Sequence, residues 1–163
     1  VNNGMVMPAW YDILAMDFDR KVDEAGVRRS GAHLEALITR ELDRGIPANK
    51  IVLAGFSQGG AIALHTGLRH AEALAGMMLL STYMAADCDL DEERSAANQG
   101  IAILQCHGTR DPMVTPAMGS AARERMTGLG YEVEWHEFPM EHQVVLEEIE
   151  VMGEWLRRVL DLG

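Results

Sequence analysis

Apolar and polar residues follow two different periods along most of the chain. Three short, almost wholly apolar runs predict strands buried on both faces, as in a parallel sheet, at 50–54, 76–81 and 101–106. Apolar residues at helical spacing predict helices over 30–44, 116–129 and 145–159, and a further helix that ends near residue 70. This alternation of strand and helix predicts an α/β fold with a parallel sheet covered on both faces.

The ends of these elements carry recognisable signals. Ser30 is expected to cap the first helix, and Gly45 and Gly130 follow the ends of two helices. A fourth strand, over 131–138, alternates apolar and polar residues and is therefore expected at a sheet edge. The polar, acidic stretch 82–100 is expected to be a solvated surface loop overhanging the carboxyl end of the sheet.

Size and charge narrow the class of protein. With 163 residues, 48% of them hydrophobic, the chain is expected to form one domain over 1–163. Its net charge of −11 disfavours nucleic acid and anionic lipid as partners. No apolar stretch approaches the roughly 20 residues that span a bilayer, and two cysteines without C-x-x-C spacing favour a cytoplasmic location. The opening residues, 1–4, suggest that an upstream segment is missing.

The pentapeptide Gly55-Phe56-Ser57-Gln58-Gly59 joins the first predicted strand to a helix. A single residue at such a turn adopts a strained conformation that projects its side chain above the sheet, which favours Ser57 as a nucleophile. Gly55 and Gly59 are expected where a Cβ atom would collide with the packed strand or helix. The alternative is an ordinary Gly/Ser turn; a phosphate-binding loop is excluded because Ala61 stands where its lysine belongs.

A serine nucleophile needs a base and a carboxylate, which in this architecture follow it in the order acid, then histidine. Asp111 lies just past the third predicted strand, and His142 just past the fourth. Because the carboxyl ends of parallel strands share one rim, Ser57, Asp111 and His142 are expected to converge there.

Other assignments remain open from the residues alone. His107 also ends a strand but precedes the acid, so a structural turn with its imidazole bonded to backbone is favoured. The remaining histidines are expected at helix surfaces, between helices or on the edge strand, at positions 33, 65, 70 and 136. Asp111 could instead cap an Asp-Pro turn. A metal site from His107, Asp111 and His142 is disfavoured for lack of a second carboxylate.

Acidic residues in the 82–100 stretch partly imitate a calcium loop. Asp87, Asp89 and Asp91 copy its first three ligand positions, but Glu92 replaces the required glycine and Asn98 the final glutamate. A calcium-binding EF-hand is therefore not expected.

Four segments together resemble the phospholipase/carboxylesterase family, which includes acyl-protein thioesterases: 7–12, 45–61, 107–111 and 139–142. The resemblance implies a three-layer α/β-hydrolase fold with a mostly parallel sheet, here lacking its N-terminal strands. It also implies Ser57 as nucleophile, Asp111 as acid, His142 as base and the backbone N–H of Gln58 in the oxyanion hole.

The activity implied is hydrolysis of short- to medium-chain acyl esters through an acyl-enzyme on Ser57, without metal or organic cofactor. Removal of long acyl chains from proteins, lysophospholipase activity, and a non-catalytic binding module are the alternatives. Trp10, Met113, Val114 and Met140 are expected to line an apolar acyl pocket. A small acyl ester or thioester is the expected partner, and homodimerisation would cover the open sheet edge.

Two departures from the family pattern change these expectations. Glu141 stands where the family usually has glycine, and a carboxylate beside His142 favours the protonated imidazole, so activity is expected to need a higher pH. The family's second oxyanion donor comes from an upstream loop. Loss of one such donor costs on the order of 10²- to 10³-fold in turnover.

Overall fold

The structure, a computed structural model, describes residues 9–12, 23–87 and 89–162. Within this part of the chain one sheet contains four strands, which occur in the order β1-β2-β3-β4. They are Val52–Phe56 (β1), Gly76–Leu80 (β2), Ala102–Gly108 (β3) and Val133–Phe138 (β4). Every neighbouring pair is parallel, which confirms the predicted sheet and places β4 at an edge.

Helices connect and cover the strands. They are Glu24–Asp43 (α1), Gln58–Gly67 (α2), Leu90–Glu93 (α3), Pro116–Gly128 (α4) and Leu146–Leu160 (α5). Single 3₁₀ turns lie at Ala48–Lys50 and Ala96–Asn98. None of the helices in the described ranges combines the length and apolarity that crossing a bilayer requires.

Alternate residues of each strand enter two separate cores, because successive strand side chains point to opposite faces. Met78, Leu80 and Leu104 pack with Trp155 of α5 on one face. Met77, Leu79 and Ile103 pack on the other face with a cluster to which α1 and α2 contribute Ile38 and Leu64. The sheet therefore lies between two helical layers, as the resemblance implied.

The first helix begins six residues earlier than its apolar stripe predicts. Asp23 is the actual N-cap, and its carboxylate accepts the Gly26 N–H at 2.9 Å. Ser30, predicted as the cap, lies inside α1, where its buried hydroxyl donates to the Trp10 carbonyl. The first strand also lies two residues later than predicted, because its pairing with β2 extends to Phe56 and Leu80.

The stretch 82–100 is only partly the solvated loop that its composition predicts. Several of its side chains are buried: Thr82, Tyr83, Ala85, Leu90 and Asn98. The Asn98 amide accepts the Leu74 N–H at 2.9 Å and donates to the His70 carbonyl at 2.8 Å, so the end of the stretch is part of the fold.

The acidic residues of this stretch pair with arginines. Asp87 and Asp91 both contact Arg125 of α4, and Asp89 contacts Arg28 of α1 at 2.8 Å. Across the described ranges, no group of three or more His, Cys, Asp or Glu side chains is arranged to hold a metal ion. The calcium-like spacing thus reflects ion pairs that attach the stretch to two helices.

The contact between α1 and α2 contains a buried histidine. His65 is 6% exposed and faces Gly31, where a Cβ atom would lie 3.1 Å from the imidazole Cδ2. Burial lowers the pKa of His65 to about 4, with smaller contributions from the positive charges of Arg69 and Arg28. The folded protein therefore favours the neutral imidazole, whereas an unfolded histidine has a pKa of about 6.5.

Acid destabilisation should therefore be smaller after the substitution His65→Leu. In the wild-type protein, His65 imposes no penalty above the unfolded pKa, and stability is lost as pH falls from about 6.5 towards 4. Denaturant unfolding measures the free energy of unfolding near pH 7 and near pH 4.5. The fall in this free energy between the two pH values should be about 1–2 kcal/mol smaller in the variant than in the wild-type protein, allowing for solvent screening.

The matched control is His33→Gln, because His33 is an exposed histidine on α1. It should leave the pH dependence of the unfolding free energy as in the wild-type protein. If His65→Leu and the wild-type protein lost the same unfolding free energy on acidification, protonation of His65 would not be the cause of the loss.

Candidate active site

Ser57 is the single residue between β1 and α2. It has φ 55° and ψ −122°, a conformation that non-glycine residues rarely adopt. The structure therefore contains the sharp strand-to-helix turn that the pentapeptide predicts. Such a turn raises the serine side chain above the carboxyl end of the sheet.

Hydrogen bonds on both sides hold this strained residue. The Ser57 N–H donates to the Leu80 carbonyl of β2 at 2.9 Å. The buried Thr82 hydroxyl donates to the Ser57 carbonyl at 2.6 Å, and the Ala61 N–H donates to the same carbonyl at 3.2 Å. Leu80 at the end of β2, Thr82 just after it and Ala61 of α2 thus fix the turn from outside the pentapeptide.

Two glycines make room for the turn, but only one of them was expected. A Cβ atom on Gly55 would lie 2.3 Å from the Gly59 backbone, as predicted. The same expectation is wrong for Gly59, whose nearest neighbour would be Trp10 Nε1 at an ordinary 3.5 Å. Gly60 is the second constrained position, because its Cβ atom would lie 2.7 Å from that of Thr82.

Asp111 and His142 are joined directly. His142 Nδ1 lies 2.6 Å from Asp111 Oδ2. The other carboxylate oxygen, Oδ1, accepts the N–H groups of Met113 and Val114 at 2.8 and 2.9 Å. Asp111 therefore fills both roles that the sequence left open. Its Oδ1 caps the turn, and its Oδ2 faces the imidazole of His142.

The loops that carry Asp111 and His142 are bonded to each other. The Thr109 N–H donates to the Phe138 carbonyl at 2.9 Å, and the Arg110 N–H to the Met140 carbonyl at 3.1 Å. A Cβ atom on Gly108 would lie 2.5 Å from the carbonyl oxygens of Met140 and Glu141. Only glycine at position 108 permits this close approach of β3 to the loop that carries His142.

His142 lies beside the end of β1. Its imidazole centroid is 4.7 Å from that of the Phe56 ring, and Phe56 immediately precedes Ser57. The structure thus brings all three predicted residues to one rim of the sheet. Asp111 and His142 are joined by a hydrogen bond, whereas the Ser57 hydroxyl makes none to the imidazole; such catalytic contacts often tighten only in the complex with substrate.

Gln58 begins α2, and the first N–H groups of a helix have no partner within that helix. Its side-chain amide donates to the Tyr11 carbonyl at 3.0 Å. Trp10 lies against Gly59, so residues 10 and 11 lie against the N-terminus of α2. The rest of the segment predicted around them, 7–8, lies outside the described residues.

The four predicted pocket residues divide into two groups. Trp10 and Met113 are 45% and 58% exposed, so each presents apolar surface near the rim. Val114 and Met140 are 3% and 2% exposed and belong to two different buried apolar clusters. The acyl pocket remains a prediction, with Trp10 and Met113 in the accessible positions.

A separate open groove of about 600 Å³ lies at the opposite end of the sheet. Its walls include Ala102 and Val133, which begin β3 and β4, and Trp155 of α5. Since the three predicted site residues follow the carboxyl ends of strands, this groove is not part of the candidate site.

Glu141, the departure beside His142, is exposed to solvent. Sequence reasoning missed Thr82, whose hydroxyl bonds to the Ser57 carbonyl. Its position just after the second buried run was the available signal, because that strand ends beside the turn. His107 is bonded to backbone, as its structural interpretation predicts, with Nε2 2.9 Å from the Val114 carbonyl.

Relatives with known names match the chain along most of its length. The sequence pattern of the phospholipase/carboxylesterase family matches residues 1–160. Acyl-protein thioesterase 1 of Neurospora crassa is 39% identical over 163 residues, which cover 95% of this chain and 66% of that protein. Its counterpart in Gibberella zeae is 38% identical over 168 residues, covering 98% of this chain and 72% of that protein. The chain thus spans about two thirds of the length of these relatives.

Solved structures show the same architecture. The crystal structure of Arabidopsis thaliana SOBER1 superimposes with a TM-score of 0.91 at 27% identity, covering 98% of this chain and 77% of that one. Zea mays acyl-protein thioesterase 2 gives a TM-score of 0.81 at 25% identity, covering 93% and 72%. Fold, motifs and relatives agree: this chain belongs to the phospholipase/carboxylesterase family, a family of serine hydrolases with the α/β-hydrolase fold.

Proposed function

We propose that this protein hydrolyses acyl esters and thioesters through an acyl-enzyme on Ser57, with His142 as general base and Asp111 as its carboxylate partner. One observation carries the proposal: the Asp111 carboxylate takes the Nδ1 side of His142 at 2.6 Å. That bond leaves Nε2 as the imidazole atom available to accept the proton of a serine hydroxyl at the same rim.

The reaction follows from these positions. His142 Nε2 accepts the Ser57 proton as Oγ attacks the substrate carbonyl, and the imidazolium then protonates the leaving alcohol or thiol. In the second step a water molecule, deprotonated by His142, attacks the acyl carbonyl; the bond to Ser57 Oγ breaks, the acid leaves, and His142 returns the proton to Oγ. Asp111 stabilises the imidazolium and keeps its own negative charge.

The negative charge on the attacked carbonyl needs hydrogen-bond donors. The Gln58 N–H is suited to this role because it follows the nucleophile and begins a ten-residue helix, whose N-terminal end favours negative charge. Leu80 and Thr82 hold the strained backbone of Ser57. The Ser57 hydroxyl and the Gln58 N–H therefore keep fixed relative positions before substrate binds.

The acyl-protein thioesterase alternative is favoured over short-chain ester hydrolysis. Relatives that are 34–39% identical over nearly the whole chain are named acyl-protein thioesterase 1. The exposed side chains of Trp10 and Met113 add apolar surface near the rim, which suits an acyl chain longer than acetyl. We therefore propose thioesters of longer acyl chains as the preferred substrate class.

Substitution Ser57→Ala should lower hydrolysis of a nitrophenyl ester by at least about 10³-fold, because no nucleophile remains to form the acyl-enzyme. The measurement is kcat at saturating ester. Ser95→Ala is the control, since Ser95 only caps the 3₁₀ turn at Ala96–Asn98 and should leave kcat unchanged. Undiminished turnover in Ser57→Ala would place the nucleophile elsewhere.

Substitution Gly108→Ala should lower kcat by on the order of 10²-fold, because the added methyl group pushes the His142 loop away from β3. Gly128→Ala is the control: a Cβ atom there would meet nothing within 4 Å. Steady-state rates of both variants, compared after confirming folded far-UV circular dichroism, provide the check. Equal kcat for the two variants would show that the close contact at Gly108 does not position His142 for catalysis.

The preferred acyl-chain length and the preferred leaving group, alcohol or thiol, should separate a short-chain carboxylesterase from a long-chain thioesterase. Rates on acetyl, butyryl, octanoyl and palmitoyl esters should rise with chain length, since exposed apolar surface near the rim would bind the longer chains better. A palmitoyl peptide thioester should react faster than the same peptide acylated on serine. Preference for the acetyl ester would favour a short-chain carboxylesterase, and no hydrolysis of any substrate would favour the non-catalytic binding module.

A further inference from the structure

A second histidine lies beneath the proposed catalytic rim and is not used by the mechanism. His107, on β3, is completely buried. A Cβ atom on Gly119 of α4 would lie 2.5 Å from its Nδ1, and the Trp135 ring stacks beside it at 5.9 Å between centroids. The imidazole therefore sits in a closely fitted space between the sheet and α4.

One polar contact of this ring reaches the turn that carries Asp111. His107 Nε2 lies 2.9 Å from the Val114 carbonyl oxygen. A carbonyl only accepts hydrogen bonds, so Nε2 carries the proton and donates. The N–H of the same residue, Val114, donates to Asp111 Oδ1 at 2.9 Å. His107 and Asp111 thus hold Val114 by its carbonyl and its N–H.

This arrangement determines which carboxylate oxygen faces His142. Two N–H groups of the turn bind Oδ1 of Asp111, and Oδ2 is left for the imidazole of His142. His107 Nε2 also lies 4.0 Å from that Oδ2. Movement of the 111–114 turn would therefore rotate the carboxylate away from His142.

We propose that His107 is a positioning residue for Asp111. Its Nε2–H fixes the 111–114 turn through the Val114 carbonyl, so that Asp111 keeps Oδ2 directed at His142. This inference rests on the proposed function, because it assigns a kinetic consequence to the Asp111–His142 bond.

The buried surroundings of residue 107 explain why its side chain must donate a hydrogen bond. Gln105, two residues earlier on β3, donates to the Gly119 carbonyl at 3.0 Å and holds α4 against the sheet. An apolar side chain at position 107 would leave the Val114 carbonyl without a partner in a buried place, which is unfavourable. The turn would then shift to find another donor.

The test compares two side chains of similar size that differ in their donor: His107→Met and His107→Gln. Misplacement of a catalytic group by about 1 Å lowers rates by on the order of 10²-fold, so His107→Met should lower kcat by about 10- to 100-fold while KM changes less than about threefold. His107→Gln, which keeps an N–H donor, should recover most of that loss. Equal kcat for the two variants would overturn the proposal.

A buried histidine away from the turn controls for general loss of packing. His65→Leu removes an imidazole between α1 and α2 and should leave kcat near that of the wild-type protein. A similar loss of kcat in His65→Leu and His107→Met would show that His107 matters only for packing.

A double-mutant cycle tests whether His107 acts through Asp111. In an Asp111→Asn background, the further substitution His107→Met should change kcat by less than about twofold, because the Asp111 carboxylate that His107 positions is already absent. Full additivity of the two losses would contradict the proposed route.

A measurement without turnover separates this inference from the proposed function. The proton on His142 Nδ1, held by Asp111, should give a downfield proton NMR resonance that persists in His107→Gln and weakens or shifts in His107→Met. If the wild-type protein failed to hydrolyse esters, the proposed function would fail while this comparison still decided the positioning role. An unchanged resonance in His107→Met would overturn it.

Discussion

The site depends on the close approach of two loops at the carboxyl end of a parallel sheet. Asp111 and His142 are 31 positions apart in the chain, yet Oδ2 and Nδ1 lie 2.6 Å from each other. Register between β3 and β4 brings the loops together, and Gly108 lets their backbones approach closely. A carboxylate that is 3% exposed needs such partners, since burying an unpaired charge is unfavourable. Fold stability and proposed chemistry therefore use the same bond.

The strained turn at Ser57 depends on the neighbouring strand in the same way. Its backbone conformation is unfavourable for serine, and it persists because the Leu80 carbonyl of β2 accepts its N–H and the Thr82 hydroxyl, just past the end of β2, donates to its carbonyl. Gly55 and Gly60 leave the space in which α2 can begin directly after β1. Strain at one residue is thus balanced by hydrogen bonds and packing contributed by others.

Local patterns in the sequence were sufficient for the parallel sheet and the strand-to-helix turn, and they placed Ser57, Asp111 and His142 after strands that end at one rim. Apolar runs located the buried strands, and the Gly-x-Ser-x-Gly spacing located Ser57. Positions decided by contacts across the fold were not accessible in this way. Asp23 caps α1 because its carboxylate accepts the Gly26 N–H, and Gly60 rather than Gly59 is constrained because Thr82 approaches it from just past the end of β2. The buried residues of the 82–100 stretch were hidden by its acidic composition, and arginines on α1 and α4 pair with those charges.

The proposed chemistry requires that His142 and Asp111 activate Ser57 at this rim. Its most direct measurement is peptide mapping of the protein after reaction with a fluorophosphonate, a reagent that modifies activated serine hydroxyls. One adduct is expected, on the peptide containing Ser57, together with slower labelling in Asp111→Asn. An adduct on another serine, or no adduct on folded protein that hydrolyses esters, would contradict it.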